Sequence, residues 1–203
     1  IPEDKRRELH TLCAKACEKL GYESAGTIEF LYEDGKFYFI EMNTRVQVEH
    51  PVTEMITGID IIGSQLLIHS NKCLDFSPDE IVWKGVSIEC RINAEHPETF
   101  LPSPGKVSVY HPPMGPHVRV DSHLYQSYTV PHYYDSLIAK IITYGEDRAT
   151  AIKRMQLALN ELVIIGVDTN KPLLQTILSS DTFLHKDYSI HSAAKFIATE
   201  AQT

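Results

Sequence analysis

The sequence has no apolar run approaching the ~20 residues that a membrane-spanning helix needs, and no signal-peptide pattern opens it. It has no excess of positive charge: 19 Lys and Arg stand against 27 Asp and Glu, a net charge of −8. Non-specific nucleic-acid binders usually show a basic surface, so neither nucleic acid nor membrane is expected as a partner. Cysteine is sparse, at four. Cys13 and Cys17 fall in an apolar helical stripe with Leu9, Leu12, Ala16 and Leu20, and packing as small hydrophobes explains their spacing better than a metal does. Cys73 and Cys90 stand alone, the usage of a reducing, cytoplasmic-type compartment. His111, His117, His123 and His132 show no i, i+4 pairing, which argues against a zinc site. Internal repeats and low-complexity tracts are absent.

What is present is enough for one globular domain or two small ones: 203 residues can bury roughly 70% of the unfolded surface. The chain opens on Ile1 rather than Met, which reads as a cut within a longer polypeptide. Residues 3–20 have the pattern of an amphipathic helix stopped by Gly21. Alternating runs at Thr27–Tyr32 and Lys36–Asn43 flank Asp34-Gly35, a hairpin signal. A three-residue loop, Glu33-Asp34-Gly35 with a glycine bulge, is expected. It puts Ile28, Phe30, Tyr32, Tyr38, Ile40 and Met42 on one face and Glu29, Leu31, Phe39, Glu41 and Asn43 on the other, whereas a two-residue loop would split Glu29 from Glu41. His50-Pro51 ends the extended stretch, and Asp60 is the expected cap of a helix running to about His69. From Trp83 to Tyr144 strands dominate, at 86–93, 106–110, 117–121 and 137–144. A long helix capped by Asp147 is predicted to end near Gly166, a shorter one follows Thr169, and a last one starts near Ser192. The fold class expected is α+β, divided into 1–82 and 83–203.

Parity extends past the hairpin: Arg45, Gln47 and Glu49 continue the face of Glu41 and Asn43, so an extended chain would line one wall with carboxylate, amide, guanidinium, amide and carboxylate. Two carboxylates with an Asn amide suit Mg²⁺, a hard ion that usually binds through a few carboxylates and substrate phosphates. Arg45 could clamp an anion in bidentate fashion, and Glu49 could accept a proton. The plainer reading is the wet side of a sheet; mixed charge signs, amides and the bulky neighbours Leu31 and Phe39 favour a site. Glu89 and Arg91 form a weaker pair of the same kind, for which a surface ion pair is the simpler account.

The run Glu41-Met-Asn-Thr-Arg-Val-Gln-Val-Glu-His-Pro-Val-Thr-Glu closely resembles the signature of biotin carboxylases, shared by the corresponding parts of acetyl-CoA, propionyl-CoA and pyruvate carboxylases. Glu89-Cys-Arg-Ile-Asn-Ala-Glu, Phe100-Leu-Pro-Ser-Pro-Gly and Tyr133-Tyr-Asp-Ser-Leu-Ile match the same family, and the likeness covers nearly the whole chain. The resemblance implies the carboxyl-terminal part of an ATP-grasp domain followed by a mainly antiparallel β-sheet domain with packed helices. It implies Glu29, Glu41 and Asn43 as ligands of Mg²⁺ (or Mn²⁺), and Glu29, Leu31, Glu41, Ile190 and His191 as nucleotide-binding residues, with Leu31, Ile190 and His191 at the adenine. Bicarbonate would be held by Arg45, Gln47 and the Val48 backbone, with Glu49 as its base and Arg91 stabilising the biotin enolate. The implied reaction is attack of bicarbonate on ATP to give carboxyphosphate, then carboxylation of biotin on a carrier protein or domain.

The same resemblance implies a homodimer with Arg119 at the interface, a role in acetyl-CoA carboxylase and fatty acid biosynthesis, and a cytoplasmic location, or a mitochondrial one for a eukaryotic acyl-CoA or pyruvate carboxylase. The family's amino-terminal domain, glycine-rich lid and nucleotide-contacting lysines have no counterpart in these residues, nor do the biotin-attachment Met-Lys-Met motif and a carboxyltransferase domain. The chain alone is therefore expected to be inactive. Two other readings stand beside this one: a non-catalytic dimerisation or folding unit, and another ATP-grasp ligase such as a carbamoyl-phosphate or purine-pathway enzyme. The Arg-Val-Gln-Val-Glu-His extension and the Arg91 segment speak against the latter.

Overall fold

A computed structural model of the chain describes residues 1–192 and 196. The chain divides into two compact units, the first Ile1–Val82 and the second from Trp83 onward. The fold is α+β, every strand pairing is antiparallel, and no helix among the described residues is long and apolar enough to cross a membrane. The helix expected from Ser192 lies largely outside the described residues.

The first unit opens with α1 (Glu3–Leu20). Acidic Glu3 and Asp4 sit in its first turn and Lys19 in its last, as the helix dipole favours. Gly21 ends it at φ 61°, and Tyr22 N–H closes back on the Cys17 carbonyl at 3.0 Å. The apolar stripe divides: Leu9, Cys13 and Cys17 are half-buried, while Leu12 and Leu20 are 61% and 73% exposed. Burial raises the Cys13 thiol pKa, with the nearby Cys17 adding to the shift.

Strands β1 (Thr27–Glu33) and β2 (Lys36–Asn43) form the hairpin. Its turn corrects the expectation. Glu33 pairs with Lys36, so the loop is the two residues Asp34-Gly35, both at positive φ (48° and 76°). A primed turn of this kind matches the right-handed twist of the strands, and Asp-Gly is among the pairs that adopt it best. The bulge lies deeper, where Glu29 pairs with Glu41 but Phe30 pairs with Phe39, leaving Ile40 as the extra residue. The chain then continues into α2 (His50–Thr57), with Pro51 near its start, and α3 (Ile61–His69), whose Asp60 cap accepts from Gly63 N–H at 2.7 Å.

The second unit is built on a three-stranded sheet. Strand β3 (Val86–Asn93) is followed by the short β4 (Gly105–Lys106) and β5 (Val109–His111), then β6 (Val118–Ser122), β7 (Thr129–Val130) and β8 (Leu137–Gly145). The sheet order is β3-β8-β6; β4 pairs with β7. Helix α4 (Arg148–Glu161) starts at the expected Asp147 cap but stops five residues before Gly166. The β-branched run that follows makes strand β9 (Val163–Ile165), paired with β5, which the helix expectation had absorbed. Helices α5 (Lys171–Ser179) and α6 (Asp181–Leu184) follow. Cys90, Ile92, Ala139 and Ile141 pack from one sheet face against Met155, Ala158 and Leu159 of α4. Burial, with the charge of Glu89 adding to it, pushes the Cys90 thiol up to about 12.

Candidate functional site

The candidate site of the first unit begins at the bulge. Because Ile40 absorbs one residue, Glu29 and Glu41 lie directly opposite each other despite the two-residue loop. Like charges directly across an antiparallel pair repel. A single amide group bridges them: Asn43 Nδ2 donates to Glu29 Oε1 (2.9 Å) and to Glu41 Oε1 (3.1 Å). Leu31 lies across from Tyr38, and both are half exposed. Phe39, expected on the carboxylate face, instead pairs with Phe30, with ring centroids 6.0 Å apart. The bulge is the reason: its extra residue changes the parity of everything between it and the turn.

Beyond Asn43 the chain does not run on as a strand. It bends at Thr44-Arg45 and turns at Val48-Glu49 into α2. That bend brings side chains together which an extended wall would have spaced out. Arg45 Nη1 donates to Gln47 Oε1 (2.8 Å) and to the Val46 carbonyl (3.2 Å), and Nη2 approaches Asn43 Oδ1 at 3.4 Å. Gln47 Nε2 donates to the same Glu29 oxygen that Asn43 holds, at 3.0 Å. The result is one hydrogen-bonded string, Glu41–Asn43–Glu29–Gln47–Arg45, with Glu29 at its centre and half-buried. His50 fixes the turn through its ring nitrogen Nδ1, 2.8 Å from the Gln47 carbonyl oxygen. Glu49 sits at the cap position of α2 (φ −83°, ψ 9°), exposed.

The converging carboxylates supply hard oxygen donors on one side of the hairpin, and a divalent cation there would offset their repulsion. The residues present therefore fit such an ion. The exposed guanidinium of Arg45, held at one edge by the chain, offers a planar fork of the kind that takes a carboxylate-like anion.

Arg91, Arg119, Ile190 and His191 belong to the second unit. Arg91 and Glu89 share a face of β3, with Arg91 Nε 3.9 Å from Glu89 Oε1; the arginine side chain is 49% exposed and the glutamate 5%. Arg91 is opposite Lys140 on β8, which is opposite Asp121 on β6. Asp121 is held by Arg119 Nε and Nη2 (2.8 and 2.9 Å) and by Lys140 at 3.4 Å. Burial would raise the Asp121 carboxyl, but the hydrogen bonds and charges of Arg119 and Lys140 outweigh it and hold the group below its usual value. Asn170 locks the Arg91 strand: its Nδ2 donates to the Arg91 carbonyl and its Oδ1 accepts from Asn93 N–H, both at 3.0 Å. Lys140 and Asn170 were missed in the sequence. The cross-strand register would have given the first; nothing local marks the second, 79 residues from Arg91. Ile190, 79% exposed, and His191 lie in a turn closed by Ser189 N–H to Ser192 Oγ (2.9 Å).

Comparison with known proteins gives the family. The family described as "Biotin carboxylase C-terminal domain" matches residues 89–195, and "Carbamoyl-phosphate synthase L chain, ATP binding domain" matches residues 1–76. A biotin carboxylase of Allochromatium vinosum is 54% identical over 197 residues, 97% of this chain and 44% of that protein. The crystal structure of a biotin carboxylase–β-γ-ATP complex from Campylobacter jejuni superposes with a TM-score of 0.93 at 47% identity, covering 96% of this chain and 44% of the other. The biotin carboxylase domain dimer of Hydrogenobacter thermophilus 2-oxoglutarate carboxylase, in complex with MgADP, ADP and bicarbonate, gives 0.94 at 43% identity over the same shares. The chain thus spans less than half the length of these relatives.

Proposed function

This chain belongs to the biotin carboxylase C-terminal domain family, and on that footing we propose that it supplies part of the active site of an enzyme that carboxylates biotin with ATP and bicarbonate. The observation that carries the reading is the hydrogen-bonded string from Glu41 through Glu29 to Arg45. Solved structures similar to this chain are complexes with MgADP, ADP and bicarbonate or with β-γ-ATP, and the string offers both a cation side and an anion side.

Glu29 and Glu41, with Asn43, would hold Mg²⁺ or Mn²⁺, which when bound neutralises charge on the nucleotide phosphates. Asn43 sets the spacing of the two carboxylates through its shared amide. Leu31 in the first unit, and Ile190 and His191 in the second, are the residues that the family resemblance assigns to the adenine. Arg45 takes bicarbonate in its fork, assisted by Gln47 and the Val48 backbone, and Gln47 ties that anion's position to Glu29. Glu49, at the turn two residues on, removes the bicarbonate proton as the oxygen attacks the γ-phosphate and ADP leaves; the carboxyphosphate formed breaks down to carbon dioxide and phosphate, and the phosphate takes the ureido N–H proton of biotin. Arg91 stabilises negative charge on the biotin ureido oxygen while nitrogen captures carbon dioxide. The reaction is the first half of an acetyl-CoA or related acyl-CoA carboxylase, with biotin on a carrier protein or domain as acceptor and a homodimer as the working form.

The test is bicarbonate-dependent ATP cleavage and biotin carboxylation by the enzyme that carries this chain. Arg45→Ala is expected to lower kcat/KM for bicarbonate by about 100-fold, the size typical of losing one positioned charge donor. Glu41→Gln should weaken the response to Mg²⁺ instead. Unchanged bicarbonate kinetics in Arg45→Ala would remove the anion assignment.

A further inference from the structure

Ile190 and His191 are surface residues on a short stretch of irregular chain, yet a nucleotide contact requires them to be held in place before the ligand arrives. The described residues show what holds them. Arg148 is the first residue of α4, directly after the Asp147 cap. Its helix is anchored by the buried side chains of Ala151, Ile152, Met155, Ala158 and Leu159. A cation at a helix amino terminus is opposed by the helix dipole, so this placement needs compensation elsewhere.

The compensation comes from the chain leading to Ile190. Arg148 Nη2 donates to the Phe183 carbonyl at 3.0 Å, and the guanidinium carbon lies 4.5 Å from the centre of the Phe183 ring and 5.9 Å from that of Tyr188. The two rings stack at 5.8 Å with an interplanar angle of 20°. Arg148 Nε is buried with no hydrogen-bond partner among the described residues, as expected where a guanidinium packs against aromatic faces rather than into an acceptor shell. Tyr188 is two residues before Ile190. Past His191 the chain is pinned again by buried Ser192, which accepts from Ser189 N–H and donates its own N–H to the Ser189 carbonyl at 3.0 Å.

We infer that Arg148, Phe183 and Tyr188 form a clamp that presets the Ile190–His191 segment for adenine, making Arg148 and Phe183 positioning residues for nucleotide affinity. The inference rests on the assignment of Ile190 and His191 to the nucleotide. In this arrangement the clamp changes the population of the binding-ready segment and leaves the chemistry at Arg45 and Glu49 untouched. Losing it therefore raises the apparent KM for ATP without lowering kcat.

The experiment compares Phe183→Leu, Arg148→Gln, Phe183→Tyr and Ile190→Asp in the enzyme that carries this chain. It follows steady-state kinetics in ATP and bicarbonate, together with amide hydrogen exchange of residues 185–191. Phe183→Leu and Arg148→Gln are expected to raise KM for ATP about tenfold, the scale of losing a desolvated cation–π contact, and to speed exchange in the segment. KM for bicarbonate and kcat should stay within about twofold, because both report steps that the clamp does not touch. Phe183→Tyr keeps the ring and should restore wild-type KM, which a general folding defect would not allow. Faster exchange with unchanged KM for ATP would overturn the clamp as a positioning device, and so would unchanged exchange. If Ile190→Asp also leaves KM for ATP unchanged, the nucleotide assignment itself falls; if Ile190→Asp raises it while Phe183→Leu does not, only the clamp falls.

Discussion

Asp121 shows how a single carboxylate is tuned by its place in a sheet. Arg119 reaches it from two residues away on the same strand face, and Lys140 reaches it from directly across the ladder. Arg119 makes the shorter bonds, and Lys140 is the more buried partner, with only 12% of its side chain exposed. Asp121→Asn removes the carboxylate charge that Arg119 and Lys140 share, and the expected loss at pH 7 is about 1 kcal/mol of folding stability, the scale of a partly buried ion pair. The pH dependence has a definite sign. The folded carboxyl titrates below its ordinary value of 3.8, so its contribution is complete above that value and disappears as pH falls through the lower, folded one. Urea titrations of both proteins from pH 7 to pH 2 should therefore show a stability gap that is constant at neutral pH and closes below about pH 4. A gap that persists at pH 2 would mean that the substitution acts through something other than the lost carboxylate charge.

At the scale of the element, the hairpin decides whether a site exists at all. Its bulge keeps Glu29 opposite Glu41 even though the turn has two residues. Deleting Ile40 turns the ladder into an unbroken one without changing that pairing, because the turn register then continues through to Glu29. The variant is expected to keep cross-strand NMR contacts between residue 29 and the residue that was Glu41, while losing the extra local twist of a bulge. Contacts that shift by one residue would show that the register is set elsewhere. The same hairpin marks what the sequence could and could not show. Burial patterning identified the carboxylate pair as one face, since apolar and polar residues had to separate across the hairpin as a whole. It could not say where the compensating residue sits, because a bulge at the glycine and one at Ile40 both leave Glu29 and Glu41 on one face, and only the second sets them directly opposite each other. Phe39 was misplaced for that reason. The strand Val163–Ile165 was lost to a helix because its partner, Val109–His111, is more than fifty residues away, and helical spacing upstream gave no local stop. The helix caps at Gly21, Asp60 and Asp147 were legible because capping is chemistry within four residues. The bend at Thr44-Arg45 was not, since it trades ladder bonds for side-chain bonds back to Glu29.

For the molecule as a whole, charge is the limiting quantity. The site residues of the first unit carry three carboxylates, Glu29, Glu41 and Glu49, against one guanidinium, Arg45, within a chain of net charge −8. A nucleotide triphosphate carries about four negative charges near neutral pH, and a bound divalent cation offsets only part of them. Phosphoryl-transfer sites normally add lysines, arginines and backbone N–H groups around the phosphates. The hydrogen-bonded string engages its one guanidinium with Gln47, and the proposed function assigns the rest of it to bicarbonate. A polypeptide of these 203 residues is therefore expected to bind Mg·ATP no more tightly than about 1 mM, roughly −4 kcal/mol, and to show no ATP-dependent carboxylation. The relatives it matches are more than twice as long, and a polypeptide extended to their length should recover both binding and turnover if the rest of the phosphate cradle lies in the added part. Isothermal calorimetry on the two proteins separates the cases. Weak binding in the short chain and tight binding in the long one would locate the missing positive charge outside these residues. Binding at about 10 µM by the short chain, about 2.7 kcal/mol stronger than expected, would show that the carboxylate pair and its metal outweigh the absent cations, and that the string from Glu41 to Arg45 is a nucleotide site in its own right.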